Sequence, residues 1–342
     1  MIIKFTISIF RWLPHCITRS LPSQVNKGKE IVTAKLEQLV GATLTLLLSG
    51  ISCYKSGSFY EPLARKDAKI ARSKMGGIMS EEILSLTPPP SDLRLAYGSD
   101  RNQFGDLRLP KGDGPFPVLM NIHGGFWRAK YDLLHAGHFC AAITRKGIAT
   151  WNLEYRRNGN PGGGWPGTFE DIASGYRFLP QIARQYKLDP ARVVVAGHSA
   201  GGQLALCLAA HEPSVSRVIS LAGVVDLQQT FELHLSNDAV VEFLGGKPSE
   251  VPDHYLEADP MRQHVSKARQ VLLHGSKDNV IPPAFSRRYV EEKKKAGENV
   301  ALVEIAQADH FDLIDPRSAA WVKVEAAVLD SVGLRLTTAP PA

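Results

Sequence analysis

Cysteine is scarce and scattered in this chain. Four are present among 342 residues, at Cys16, Cys53, Cys140 and Cys207, and no two form a C-x-x-C pair. That spacing excludes a zinc ribbon, a thioredoxin-type dithiol and a small disulfide-stapled scaffold. Isolated thiols fit a reducing compartment. Long apolar runs are also missing. The two best, residues 1–10 and 39–53, fall short of the roughly 20 residues a spanning helix needs. No internal repeat and no long low-complexity tract is present. A basic surface is absent where it would matter. The net charge is +6, but residues 1–78 hold 12 Lys+Arg against 4 Asp+Glu, and residues 79–342 hold 28 against 30. The body therefore carries no basic stripe, and nucleic acid is not an expected partner. What is plentiful is apolar residues, at 44%, beside 22% charged, which is enough for a packed core.

The charge step divides the chain at residues 77–80. Residues 1–78 form a basic extension with three open readings: a targeting segment, an amphipathic helix on a membrane or on the domain, or an extension ahead of an internal start at Met75 or Met79. Cys53 invites a lipoprotein reading, but Gly50 stands where an aliphatic residue is expected. Membrane contact is expected only through this extension. The cytoplasm is the expected compartment, with export or membrane association through residues 1–53 as the alternative. Thr87-Pro88-Pro89-Pro90 then reads as an extended lead-in, since proline has no N–H and breaks a helix interior.

From residue 93 onward, β-branched runs alternate with amphipathic stretches. Residues 118–122, 148–153, 193–196, 218–221, 271–273 and 301–305 read as strands. Residues 131–146, 168–186, 201–210 and 316–332 read as helices, with Thr168 as an N-cap. Alternation of this kind means βαβ units and a mostly parallel, doubly wound sheet within one domain over 79–342. Ligands in such sheets bind beyond the carboxyl ends of the strands, so the chemistry belongs in the loops after each run. The turn-rich stretch 224–260 is expected to form a small cap.

Four of those loops carry reactive residue types. Gly197-His198-Ser199-Ala200-Gly201-Gly202 follows a strand and opens a helix, the context in which G-x-S-x-G lifts a serine hydroxyl above a sheet. Glycines on either side let backbone and helix approach, and the helix start offers free N–H groups to a developing oxyanion. His123-Gly124-Gly125-Phe126-Trp127 also follows a strand. Gly124 and Gly125 there, with the N–H of Ala200, would complete an oxyanion hole. His310, in Ala308-Asp309-His310-Phe311-Asp312, is the natural general base for Ser199. Asp278, in the loop after residues 271–273, can hold that imidazole in the right tautomer; Asp226 is its rival. Phe126, Trp127, His198 and Trp165 are candidate substrate contacts, although the elbow should turn His198 away from the serine. His135, His138 and Cys140 resemble metal ligands but read as ordinary helix residues, and no metal is expected.

HGGFW, GHSAGG, D-x-x-I-P at 278–282 and ADHF together resemble the α/β-hydrolase superfamily over about residues 80–333. The order Ser199, Asp278, His310 is that superfamily's order. HGG followed by Phe126 and Trp127 resembles the kynurenine formamidase and small carboxylesterase branches. The FLGG…YLEADP insertion is similar to the catalytic domain of prolyl oligopeptidases. The resemblance implies an α/β-hydrolase fold with a small cap, and a serine hydrolase without a cofactor. The implied roles are Ser199 as nucleophile, Asp278 as acid, His310 as base, and Gly124, Gly125 and Ala200 as oxyanion donors. The expected substrate is a small carboxylic ester. Hydrolysis of N-formylkynurenine, cleavage of a small peptide, and a non-catalytic binding module are the alternatives. Oligomeric state is not legible.

Overall fold

The computed structural model describes residues 81–264 and 267–334. Each expectation for 1–78 lies outside these residues. Eight strands form one sheet: β1 (Leu93–Ala96), β2 (Phe104–Arg108), β3 (Phe116–Ile122), β4 (Ala149–Leu153), β5 (Leu188–His198), β6 (Arg217–Leu221), β7 (Arg269–Gly275) and β8 (Val300–Ile305). Their order across the sheet is β1-β2-β4-β3-β5-β6-β7-β8. The six strands from β3 to β8 are parallel, and β1 and β2 join antiparallel at one edge. The expected doubly wound, mostly parallel sheet is therefore present.

The edge hairpin was not legible as strands. β1 is four residues long and alternates half-buried with exposed positions, a signal too short to stand out. β2 is held in place by pairing with β4, which sequence period does not show.

Helices cover both faces because the strands are apolar on both. Val118, Met120 and Ile122 of β3 face one core and Leu119 the other. The first core is roofed by α2 (Gly167–Ala183), α3 (Ala200–His211) and α7 (Ala284–Lys295), and the second by α1 (Gly137–Thr144) and α8 (Trp321–Ser331). The stretch 224–260 supplies three short helices, α4 (Leu227–Glu232), α5 (Ala239–Leu244) and α6 (Pro252–Ala258).

Two helix expectations need correction. The stretch 131–146 is not one helix. A 3-10 turn at Leu133–Ala136, capped by the Asp132 carboxylate on the Leu134 N–H at 2.9 Å, precedes α1. The break falls at Gly137, where the Pro88 ring packs into the space of a side chain. Thr168 does not cap α2, which begins one residue earlier behind Pro166. Its hydroxyl donates to the Arg156 carbonyl at 2.6 Å and accepts from the Gly164 N–H at 3.1 Å, pinning the glycine-rich loop instead.

Candidate active site

β5 ends at His198 and α3 begins at Ala200, so Ser199 alone makes the turn between them. Its backbone sits at φ 56°, ψ −120°, a conformation that L-residues avoid. The turn survives because its neighbours have no side chains. A Cβ on Gly197 would collide with the Gly201 carbonyl, and one on Gly201 with the Ile122 carbonyl. The Ser199 N–H donates to the Leu221 carbonyl at 2.8 Å, and the Ser199 carbonyl accepts from Gly202 and Val224 at 2.9 and 3.2 Å. A strained serine held this firmly is a fixed feature of the site.

The structure brings Ser199 and His310 to one cleft of about 180 Å³. Phe126, Tyr131, Val280 and Phe311 form apolar walls, and Ser236 reaches it from the loop between α4 and α5. The Ser199 hydroxyl donates to no protein acceptor among the described residues, so it is free for a ligand. His310 Nδ1 donates to Asp278 Oδ2 at 2.7 Å. Asp278 Oδ1 accepts the N–H groups of Val280 and Ile281 at 2.9 and 2.8 Å. His274 Nε2 lies 3.2 Å from Asp278 Oδ2. Burial pushes the Asp278 pKa up, but the hydrogen bonds from His274 and His310 outweigh it and hold the carboxyl well below the usual range. The acid is therefore ionised at neutral pH, and His310 Nε2 is left as an acceptor.

Asp226, the rival acid, lies elsewhere. It caps α4, with Oδ1 accepting the Gln229 N–H at 2.9 Å, and Arg288 Nη1 stands 3.3 Å from Oδ2.

The loop after β3 passes close to the serine. A Cβ on Gly124 would lie 3.1 Å from Ser199 Cβ. Gly125 has φ 111°, and Tyr131 fills the space beside it. The N–H groups of Gly124, Gly125 and Ala200 donate to no protein acceptor among the described residues. This loop is braced from below by residues that sequence reasoning passed over. His123 bonds the Gly124 carbonyl through Nδ1 at 2.8 Å and Glu154 Oε1 through Nε2 at 3.2 Å, and Tyr155 donates to the His123 carbonyl at 2.7 Å. Burial raises the Glu154 pKa, but His123 and Arg157 prevail and lower it. No sequence signal joins positions 123, 154 and 157; only the pairing of β3 with β4 does.

Of the four expected substrate contacts, only Phe126 lines the cleft. Trp127 is fully buried, stacked 4.5 Å from Phe243 of α5, with its N–H on Gln203 at 2.9 Å. It ties the cap to α3. Trp165 packs against Phe169 and Phe243 at ring distances of 5.3 and 6.3 Å. His198 is fully buried behind His310: its Nε2 donates to the His310 carbonyl and its Nδ1 accepts from His135 Nε2, both at 2.9 Å. Burial and the neighbouring imidazoles of His310 and His135 push the His198 pKa well down. Burial also drops His135 to about 3. Among the described residues no group of three or more His, Cys, Asp or Glu side chains is placed to hold a metal ion. None of their helices is long and apolar enough to cross a membrane.

Comparison with known proteins adds the following. A family model described as BD-FAE matches residues 106–292. Esterase LipC of Mycobacterium tuberculosis is 26% identical over 246 residues, covering 65% of this chain and 60% of its own. Esterase LipQ of the same organism is 27% identical over 239 residues, 64% of this chain and 55% of its own. The chain thus spans less than two thirds of the length of either relative. Among solved structures, esterase B of Lactobacillus rhamnosis superposes with a TM-score of 0.63 at 18% identity, over 79% of this chain and 94% of its own. That likeness shows a shared α/β-hydrolase fold.

Proposed function

The chain belongs to the BD-FAE family, and we propose that it hydrolyses small carboxylic esters through an acyl-enzyme formed on Ser199. The observation that carries this reading is the buried 2.7 Å bond from His310 Nδ1 to Asp278, with Ser199 in the same cleft. The names of LipC and LipQ support an ester over an amide substrate.

In the proposed reaction, Ser199 Oγ attacks the ester carbonyl and passes its proton to His310 Nε2. The imidazolium is stabilised by ionised Asp278, and the carbonyl oxygen, now an oxyanion, accepts the N–H groups of Gly124, Gly125 and Ala200. The C–O bond to the alcohol breaks, and the alcohol leaves with the His310 proton. Water then attacks the acyl carbon with His310 as base again, releasing the acid and restoring Ser199. Every proton is returned within the cycle, so no cofactor is required. The cleft of about 180 Å³ suits a small acyl group. We assign the catalytic domain to residues 79–342 and the reaction to the cytoplasm, where the buried free thiols of Cys140 and Cys207 would stay reduced.

The test is kcat/KM on a short-chain aryl ester and on N-formylkynurenine, with Ser199→Ala beside the wild type. Ser199→Ala should lower kcat by roughly 10⁴- to 10⁶-fold and abolish labelling by a fluorophosphonate. Wild-type kcat/KM on the formyl amide of about 10⁴ M⁻¹s⁻¹ or more would make the enzyme a formamidase with incidental ester activity. Retained hydrolysis in the Ser199→Ala variant would overturn the mechanism.

A further inference from the structure

Arg108, the last residue of β2, is a buried cation without a counter-charge in ion-pair contact among the described residues. Its side chain belongs to a residue only 5% exposed. It makes one hydrogen bond, from Nη2 to the Pro89 carbonyl at 2.9 Å. Nε and Nη1 are buried with no partner. The nearest acid on the same face of β2 is Asp106, and both its oxygens are taken by Arg94, at 2.7 and 3.1 Å. No carboxylate among the described residues pairs with Arg108. The first residue of α1 lies close by: a Cβ on Gly137 would sit 3.8 Å from Arg108 Nη2. The positive end of a helix dipole therefore adds to the uncompensated charge. An unpaired buried guanidinium is strongly unfavourable, and proteins do not keep one without a reason.

Arg108 borders a pocket of about 410 Å³ that adjoins the cleft of Ser199 and His310 at Leu84, while Arg108 itself lines only the former. Pro88, Pro89 and Pro90 form one side of it, with Leu86 and Leu134. We propose that this pocket is a second binding site, for a small organic carboxylate anchored on Arg108.

Three observations set the chemical class. Arg94, Asp106 and Arg108 sum to one positive charge at the pocket, which a monoanion neutralises and a dianion overshoots. Phosphate sites are built from many donors, often successive backbone N–H groups, and the proline wall has none to give. Leu84, Leu86 and Leu134 suit a hydrocarbon body beside the hydroxyls of Ser85, Thr87 and Ser91, while the guanidinium matches a carboxylate head in shape and charge. A benzoate-like acid meets all three conditions. Inorganic phosphate matches the guanidinium and the sign of the charge but has no hydrocarbon body for the leucine and proline wall.

The experiment is isothermal titration of sodium benzoate into the full chain, and of inorganic phosphate in parallel. The wild type should bind benzoate saturably at one site that does not compete with ester hydrolysis, and its melting temperature should rise with benzoate concentration. Arg108→Met should weaken that binding at least tenfold and remove the benzoate-dependent rise in melting temperature. Its kcat/KM on the aryl ester should stay within about twofold of wild type, because Arg108 does not border the catalytic cleft. Leu134→Glu, at an exposed rim position, keeps the test open should Arg108→Met fail to fold. A carboxylate on the rim should weaken benzoate at least fivefold by repulsion or by occupying the site itself. Three outcomes overturn the proposal: no saturable binding, benzoate binding that both variants leave intact, or phosphate binding as tight as benzoate. None of them bears on Ser199, so a failure here leaves the esterase reading standing.

Discussion

Asp278→Asn should remove almost all activity while leaving the fold in place, and the hydrogen bonds around the side chain say why. Oδ1 accepts two backbone N–H groups, from Val280 and Ile281, at 2.9 and 2.8 Å. An asparagine must keep its carbonyl oxygen there, because its NH₂ would face two donors. The NH₂ is then turned to the Oδ2 position, 2.7 Å from His310 Nδ1. His310 can meet a donor there only by giving up its Nδ1 proton, which moves the hydrogen to Nε2. In that tautomer the nitrogen facing the cleft is a donor and cannot take the Ser199 proton. Losing the correct tautomer in a serine triad costs about 10⁴-fold in kcat, or about 5.4 kcal/mol of barrier. The assay is kcat/KM on a short-chain aryl ester, with circular dichroism to check folding. Asp226→Asn is the comparison. Asparagine is an N-cap as good as aspartate, and the Arg288 partner is exposed, so the lost ion pair is worth at most about 1 kcal/mol. That variant should keep kcat/KM within about threefold. The reasoning fails if Asp278→Asn retains more than a tenth of wild-type activity, or if Asp226→Asn loses more than Asp278→Asn.

Other variants probe the frame around the serine. Gly197→Ala forces a Cβ onto the Gly201 carbonyl; soluble protein with wild-type kcat/KM would contradict that packing. Trp127→Phe loses the bond to Gln203 but keeps the stack on Phe243, so it should cost about 1–3 kcal/mol in denaturant unfolding and change kcat/KM by less than about fivefold. Asp259 is raised to about 7, mainly by burial. The folded carboxyl keeps its proton up to about pH 7 while the unfolded chain loses it near 4, so its contribution to stability falls as pH rises between those values. Asp259→Asn should therefore gain on wild type from pH 5 to pH 8.5, by up to about 2.7 kcal/mol, and an unchanged difference across that range would rule the carboxyl out. His135 and His198 act in the opposite sense. Their folded pKa values lie below that of the unfolded imidazole, so stability is lost as pH falls below about 6.5, and thermal melts in Asp259→Asn should show that slope.

The parallel strands and the elbow were legible because each is local. A run such as residues 193–196 followed by Gly197-His198-Ser199-Ala200-Gly201 states its own geometry, and six strands could be found from such runs. The edge hairpin was not, since β1 and β2 owe their conformation to pairing across the sheet. The same divide runs through the site. Ser199, Asp278 and His310 each sit in a short motif after a strand. Trp127 and His198 sit in the same motifs, and proximity in sequence suggested substrate contact. Side-chain direction decides otherwise: Trp127 turns inward onto Phe243, and His198 turns behind His310. The braces were the least legible part. Glu154 reaches His123 across two strands, and His274 touches Asp278 and Ser286 from within a buried strand. Neither contact leaves a pattern along the chain.

The histidines behind the cleft also explain how the site tolerates a cation at His310. The proposed cycle puts a positive charge there twice. The ring of His198 lies 4.5 Å from that of His310. Were His198 charged as well, the repulsion at that distance would be about 4 kcal/mol for an effective dielectric near 20, enough to cancel much of what Asp278 supplies. The hydrogen bonds prevent it. His198 Nε2 is committed to the His310 carbonyl, and its Nδ1 accepts from His135. A second proton on His198 would leave two N–H groups facing each other, on His198 Nδ1 and His135 Nε2. Burial and this bonding keep both rings neutral while His310 takes the proton from Ser199 in the proposed cycle. The charge that develops on His310 therefore faces one ionised carboxylate on its Nδ1 side and a neutral imidazole behind it. The bonding leaves His310 with an acceptor nitrogen in the cleft and commits His198 to holding its backbone.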